Sequence, residues 1–256
     1  MTTTQRFSLA GQTALVIGGS SGIGRAIALA YQDAGARVAI IGKTPAKVED
    51  VASLLRSADP GALGYAADVT DFTRLRDIIS EVTAKLGKLD ILVNSQGITR
   101  LKPAEEFTAE DYDAILATNL GSVFFACAEA GRHMLARGRG SIINIASIAS
   151  FLGFQKSALY TMSKHGVLGL TATLAAEWAT RGVRVNGIAP GFFMTPLNRD
   201  KMSPERKERA LRRTPIGRFG ELDELVGIAI FLASPAATYV TGETIRIDGG
   251  YLAAGL

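Results

Sequence analysis

Tyr160 and Lys164 lie four residues apart in the run Ser157-Ala-Leu-Tyr-Thr-Met-Ser-Lys-His-Gly166. On a helix that spacing puts both side chains on one face, about one turn apart. A phenol beside an ammonium group can give and take a proton near neutral pH, which a free tyrosine with a pKa of about 10 does poorly. A positive charge within about 4–6 Å favours the phenolate and lowers the pKa by roughly 1–3, so Lys164 is expected to pull Tyr160 down. Chance produces this spacing often. Its meaning depends on what the rest of the chain builds around it.

Short β-branched runs alternate with longer segments of helical apolar spacing. Strands are expected at Thr13–Ile17, Arg37–Ile41, Ala62–Ala66, Ile91–Val93, Ser141–Ile145, Arg184–Ile188 and Thr244–Ile247, and helices at Gly24–Gln32, Leu75–Leu86 and Ala158–Ala179. Strand–helix alternation of this kind predicts a seven-stranded parallel sheet covered on both faces. The nearly continuous apolar run Ile142-Ile143-Asn144-Ile145 reads as a strand buried on both sides. No repeat or Pro/Ser-rich linker interrupts the chain, so residues 1–256 are expected to form one domain. In such sheets ligands bind beyond the carboxyl ends of the strands, and the informative residues follow strands here.

The first strand runs into Ile17-Gly-Gly-Ser-Ser-Gly-Ile-Gly24 and then a helix. Gly18, Gly22 and Gly24 allow a tight turn and a close approach to a pyrophosphate, Ser20 and Ser21 offer hydroxyls, and Ile23 opens the helix whose N–H groups attract anions. A glycine-rich turn with no ligand is the blander alternative. An acidic residue about 20 positions further on would hold the ribose hydroxyls of NAD. Gly42 stands there instead, followed by Lys43. Glycine leaves room for a 2′-phosphate and lysine attracts it, so NADP is the expected cofactor, with NAD possible; a merely solvated Lys43 is the alternative.

Ser147 follows the strand ending at Ile145, thirteen residues before Tyr160, and Asn119 follows the helical stretch Tyr112–Thr118. With these residues the chain strongly resembles the short-chain dehydrogenase/reductase family over essentially its whole length. The family's Thr-Gly-x-x-x-Gly-Ile-Gly appears at 17–24 with Ile17 in place of Thr. Asn-Asn-Ala-Gly appears as Asn94-Ser-Gln-Gly97, Ser…Tyr-x-x-x-Lys as Ser147, Tyr160 and Lys164, Pro-Gly as Pro190-Gly191 with Thr195 beyond, and Asp-Gly-Gly as Asp248-Gly249-Gly250.

The resemblance implies a Rossmann-type doubly wound α/β domain and an NAD(P)-dependent oxidoreductase. It implies that Tyr160 passes a proton to or from the substrate oxygen, that Lys164 lowers the Tyr160 pKa and bonds the nicotinamide ribose, and that Ser147 holds the substrate oxygen. By the same resemblance Asn119 anchors a water in a proton relay, and Asp68 with Val69 contacts adenine. Asn94 braces the sheet, Gly97 packs by the cofactor, and Ile188 and Thr195 meet the carboxamide of nicotinamide. Taken singly, Ser147 reads equally as a strand-end cap, Asn119 as a helix-terminus hydrogen bonder and Asp68 as a helix cap.

Hydrophobic residues make up 47 % and charged residues 20 %, the composition of an ordinary globular protein. The longest apolar stretch, Leu225 to Ala233, is too short for a bilayer span. With Cys127 as the only cysteine and no signal-like N-terminus, the reading is a cytoplasmic protein without disulfides. His133 and His165 are far apart and His165 turns about 100° from Lys164, so no metal-ligand spacing exists. The net charge of +4 is carried wholly by Arg199 to Arg213, and no aromatic-basic pattern suggests nucleic acid.

In the family the segment after Pro190-Gly191, here about 192–213, forms a lid over the substrate. Its basic residues could attract an anion or lie on the outer face of an amphipathic helix. The opening Phe7-Ser-Leu-Ala-Gly-Gln12, the Ile98-Thr-Arg100 turn and the ending Asp248-Gly-Gly-Tyr-Leu252 resemble the sugar-acid members, and the Ile98-Thr-Arg100 turn also resembles the 3-oxoacyl-carrier-protein reductases. The expectation is a hydride transfer on a small polyol, sugar or sugar acid. The alternatives are a 3-oxoacyl thioester reductase and, since fold does not fix function, a non-catalytic nucleotide sensor. The resemblance also implies a homotetramer, with Thr244–Ile247 and Glu221–Ala233 at one interface and the helices around 110–136 and 158–179 at the other.

Overall fold

A computed structural model describes residues 1–195 and 202–254. The elements run α1 (Thr3–Arg6), β1 (Thr13–Ile17), α2 (Gly22–Asp33), β2 (Arg37–Gly42), α3 (Pro45–Ala58), β3 (Leu63–Ala66), α4 (Phe72–Leu86), β4 (Ile91–Asn94), α5 (Ala109–Leu116) and α6 (Ser122–Ala136). They continue with β5 (Gly140–Ile145), α7 (Ala158–Trp178), β6 (Val183–Pro190), α8 (Pro204–Arg212), α9 (Asp223–Ala233) and β7 (Thr244–Ile247). The seven strands form one sheet in the order β3-β2-β1-β4-β5-β6-β7, parallel throughout.

Side-chain alternation along the strands divides the interior into two cores. Ala14 and Val16 of β1 pack with Ile27, Tyr31, Ile40 and Ala229 on one face. Leu15 and Ile17 pack with Ile41, Ile78, Leu92 and Met134 on the other. β5 is buried along its whole length, as its unbroken apolar run predicts. Two buried amides pair across the central strands, although Asn94 Oδ1 itself has no hydrogen-bond partner among the described residues. Asn94 Nδ2 donates to Asn144 Oδ1 (2.9 Å), and Asn144 Nδ2 donates to Thr171 Oγ1 (3.0 Å). Each such buried pair avoids the cost of an unsatisfied amide, roughly 1–3 kcal/mol, and together they tie β4, β5 and α7 into one block.

The strand order reverses between β1 and β4, and the crossovers leave these two strands toward opposite sides of the sheet. A crevice therefore opens beyond their carboxyl ends. That placement decides where a ligand can sit before any side chain is considered.

Most expected elements shift a boundary by one to three residues, and two differences have clear physical reasons. β6 continues to Pro190, because β7 still pairs with it there after its pairing with β5 has ended at Ile145–Ile188; a proline without an N–H is tolerated at a strand end. Asn119 lies inside a helical run from Ala109 to Ala136, in a wider π turn at Ala117–Gly121. The Ser122 hydroxyl donates back to the Thr118 carbonyl (2.6 Å) across this turn. The run is long and apolar enough for a membrane span, but it packs on α4, α7 and the sheet, as a core helix does.

Candidate active site

The turn after β1 is held by backbone bonds from Gly18 N (2.8 Å) and Gly19 N (3.1 Å) to the Ile41 carbonyl. Gly18 has φ +79°, and a Cβ there would lie 2.8 Å from the Ser95–Gln96 backbone. A Cβ on Gly24 would lie 2.3 Å from the Gly18 carbonyl oxygen, so the first turn of α2 rests directly on the loop. Ser21 occupies the N-cap position of α2 without making a cap bond. The hydroxyl and the first amides of a twelve-residue helix thus face the crevice, as an anionic pyrophosphate requires. Ile17, where the family has Thr, is fully buried, and its carbonyl accepts from Ser95 N (2.9 Å). Backbone bonding supplies the tie that a hydroxyl would have made.

At the far end of β2, a Cβ on Gly42 would lie 2.3 Å from Ser20 Oγ. Ser20 fills the room that a side chain at 42 would need. Lys43 is solvent-exposed but not alone, since its ammonium pairs with Asp68 at 2.8 Å. Asp68 also accepts from Thr70 N (3.0 Å) and Thr70 Oγ1 (2.8 Å). Lys43, then Thr70, hold its carboxyl down to about 2, so it is ionised at any working pH. The helix-cap role falls to Asp71, whose Oδ1 accepts from Arg74 N (2.9 Å).

On the other side of the crevice, β5 delivers Ser147 and α7 delivers Tyr160 and Lys164. Ser147 Oγ accepts from Ala149 N (3.1 Å), capping a single 3-10 turn, and lies close enough to Tyr160 to pull its pKa down. It is both the cap and the neighbour of the phenol. Lys164 is buried, and its ammonium donates to the Ile145 carbonyl (2.7 Å) at the end of β5. Burial pulls its pKa down to about 8. The expectation that Lys164 lowers the Tyr160 pKa is not what this arrangement produces. Burial raises Tyr160; the Ser147 side chain and then the charge of Arg206 pull it back. Lys164 lies 5.9 Å from the phenol ring centroid, with its nearest bond spent on a strand-end carbonyl.

Asn119 is fully buried beneath these groups. Its Oδ1 accepts from Ile98 N (2.8 Å), and its Nδ2 donates to the Ile98 carbonyl (2.9 Å) and Ser163 Oγ (3.1 Å). The π turn lets one side chain clamp the loop after β4 to α7, and π turns of this kind are common at functional sites. Gln96 does similar work from the loop, donating to Ser122 Oγ (2.9 Å).

These groups share one cleft of about 910 Å³, at the large end of ligand sites. Gly18, Ser20, Ser21, Gly22, Ile23, Lys43, Asp68, Val69, Gly97, Ser147, Tyr160, Lys164, Pro190, Gly191 and Thr195 all line it, and a Cβ on Gly97 would lie 3.7 Å from Lys164 Nζ. Gly24, Asn94, Asn119 and Ile188 do not line it. The first three shape the floor from behind, and Ile188 is fully buried in the core. Asp248 is a structural turn residue: Oδ1 accepts from Gly250 N (3.0 Å) and Oδ2 from Leu252 N (2.9 Å). That turn seats Tyr251 against Phe192 (5.5 Å between ring centroids), packing it on the segment that follows Pro190-Gly191.

Of the basic lid residues, Arg199 and Lys201, with the acidic Asp200, lie outside the described residues. Arg212 pairs with Glu208 on an exposed face, as the amphipathic reading predicts. Arg213 stacks on Tyr251 (5.1 Å). Arg206 instead lines the cleft, as do Phe154, Phe192 and Met202. Reading residue types did not single out Arg206 or Phe154. Seven cations in one short segment look alike until the helix is docked. The buried Asp111, which accepts from Arg100 and Lys102, was likewise missed, although its capping-box spacing from Thr108 was a readable signal.

The reversed sheet order, the glycine turn at the switch point and the Ser147–Tyr160–Lys164 group across from it define an NAD(P)-dependent oxidoreductase acting on CH–OH groups. More particularly, the chain belongs to the short-chain dehydrogenase/reductase family, and a family model described as enoyl-(acyl carrier protein) reductase matches residues 17–252. It is 43 % identical over 246 residues to D-threitol dehydrogenase of Mycolicibacterium smegmatis, covering 96 % of this chain and 94 % of the relative. It is 38 % identical over 245 residues to gluconate 5-dehydrogenase of Gluconobacter oxydans, covering 95 % and 96 %. The crystal structure of a gluconate 5-dehydrogenase from Burkholderia cenocepacia in complex with NADP and tartrate superposes with a TM-score of 0.93 at 40 % identity, covering 99 % of this chain and all of that one.

Proposed function

We propose that this enzyme transfers a hydride reversibly between NADP and a secondary alcohol or ketone on a small polyol, sugar or sugar acid, with Tyr160 as the proton donor and acceptor. The observation that carries this reading is that Ser147, Tyr160 and the buried Lys164, which come from two separate elements, line one cleft together with the glycine turn. The nicotinamide cofactor supplies the hydride. Ser147 and Tyr160 hold the substrate oxygen and handle its proton, Lys164 steadies the end of β5 and holds a positive charge below the phenol, and Asn119 keeps the loop at Ile98 in place. The whole chain acts as one domain, with residues 192–213 as the lid over the substrate end. The polyol and sugar-acid activities of the relatives support the substrate class.

NADP is favoured over NAD because Gly42 presents no carboxylate and Lys43 presents an ammonium; the NADP-bound relative supports this. A 2′-phosphate would exchange one anion, Asp68, for another beside Lys43. Turnover of gluconate or threitol with NADP, and weaker use of NAD, is the expected result of a spectrophotometric screen of polyols, sugar acids and an acetoacetyl thioester. Lys43→Glu should reverse the cofactor preference. Turnover of the thioester alone would replace this reading with the acyl one, and tighter binding of NAD by the unaltered enzyme would remove the role of Lys43.

The working form is proposed to be a homotetramer. Tyr112, Phe124 and Met162 are exposed on α5, α6 and α7, which supports association through the long helices, with α9 and β7 forming the other contact. Light scattering should give a mass of about four chains of 27.0 kDa; a monomer at micromolar concentration would exclude it.

A further inference from the structure

The charges around the cleft are unevenly compensated. Among the described residues, five cations (Lys43, Lys47, Arg100, Lys164 and Arg206) and two carboxylates (Asp68 and Asp113) line it. Lys43 and Lys47 belong to the end marked by Asp68, and Lys43 is paired with it. Arg100 is held by the buried Asp111. Lys164 is held by the Ile145 carbonyl and lies below Tyr160. Arg206, part-buried on α8, has no carboxylate partner among the described residues. The apolar side chains of Phe154, Phe192 and Met202 line the same cleft. A part-buried guanidinium in such a cleft gains most from a planar, bidentate anion.

Building on the dehydrogenase reading above, we propose that Arg206 anchors a carboxylate of the substrate, so that the enzyme selects hydroxy acids over neutral polyols of the same length. The carbon to be oxidised then sits at Ser147 and Tyr160 while the acid end lies under α8. A neutral polyol fills the same volume but leaves the guanidinium uncompensated. The charge of Arg206 also reaches Tyr160, whose pKa it lowers. A bound carboxylate cancels that pull, so the pH profile with an acid substrate should lie alkaline of the profile with a neutral one.

The test compares D-gluconate and threitol as substrates of the NADP enzyme, in the unaltered protein and in Arg206→Gln and Arg206→Lys. The gluconate-to-threitol ratio of kcat/KM should fall roughly 10- to 100-fold in Arg206→Gln, the range of one charge-assisted bond. The fall should lie mainly in KM, and Arg206→Lys should restore part of it. An unchanged ratio overturns the inference and leaves the dehydrogenase reading intact. If the unaltered enzyme turns over only an acetoacetyl thioester, the dehydrogenase reading fails instead. Calorimetry of D-gluconate with the NADP complex then decides the anchor alone: equal binding by the unaltered protein and Arg206→Gln, or none by either, overturns it.

Discussion

Tyr160→Phe should lower kcat by about 10²- to 10⁴-fold, the range that a positioned proton donor contributes. The substitution removes only the oxygen, and the ring keeps its place on α7. Affinity for NADP should therefore stay within roughly tenfold of the unaltered enzyme, the worth of about one hydrogen bond. The pH dependence should change as well. Burial raises the Tyr160 pKa in the ligand-free protein, so the phenol is protonated at neutral pH and ready to donate. Ketone reduction should be fast there and fall as pH rises. Alcohol oxidation needs the phenolate and should rise with pH. Lys164, drawn down to about 8 by burial, loses its proton at lower pH than the phenol, whose pKa burial raises. Steady-state rates in both directions across pH check this, and a Phe variant that kept full activity would sink the role given to Tyr160.

Gly24→Ala should be the most damaging small change at the cofactor end. The added Cβ would lie 2.3 Å from the Gly18 carbonyl oxygen and 2.8 Å from the Gly18 carbonyl carbon. Both are backbone atoms, so no side chain can swing aside. Either α2 lifts from the loop or the loop shifts toward the crevice. Overpacking of this kind costs about 1–3 kcal/mol, read as a lower denaturation midpoint. A displacement near 1 Å at a positioning loop costs about a hundredfold in turnover, and NADP affinity should drop with it. Gly22 would fail for a different reason: a Cβ there meets nothing closer than Thr195 at 4.0 Å, and the cost comes from its φ of +53°. A cofactor affinity in Gly24→Ala equal to that of the unaltered protein would show that the loop and helix are not coupled as this contact requires.

Much of this was legible in the residues themselves. Strands β1, β4 and β5 declare themselves because burial on both faces demands unbroken apolar runs, and such runs are local. The glycine turn is legible because a positive φ and a backbone contact each restrict one position to one residue type. The Tyr160–Lys164 face is legible because helical geometry carries residue i to i+4 without help from the rest of the chain.

What the residues could not tell was how groups distant in sequence spend their bonds. Lys164 looked like the partner of Tyr160, yet its ammonium is bound to the carbonyl of Ile145, nineteen residues away, because a buried cation takes the nearest strong acceptor. Asn119 looked like a helix-end residue, and the docking of α7 and the Ile98 loop makes it a clamp. Lys43 could be solvated or poised for phosphate, and only the parallel pairing of β2 with β3 brings it to Asp68. The basic lid was visible as composition. Only the seat of α8 turns Arg206 to the cleft and leaves Arg212 with Glu208 outside. The sequence by itself determined the sheet, the phosphate turn and the catalytic helix face, since each follows from short-range geometry. Tertiary structure alone decided the charge pairings around the cleft, since electrostatic and hydrogen-bond partners are set by distance in space and not along the chain.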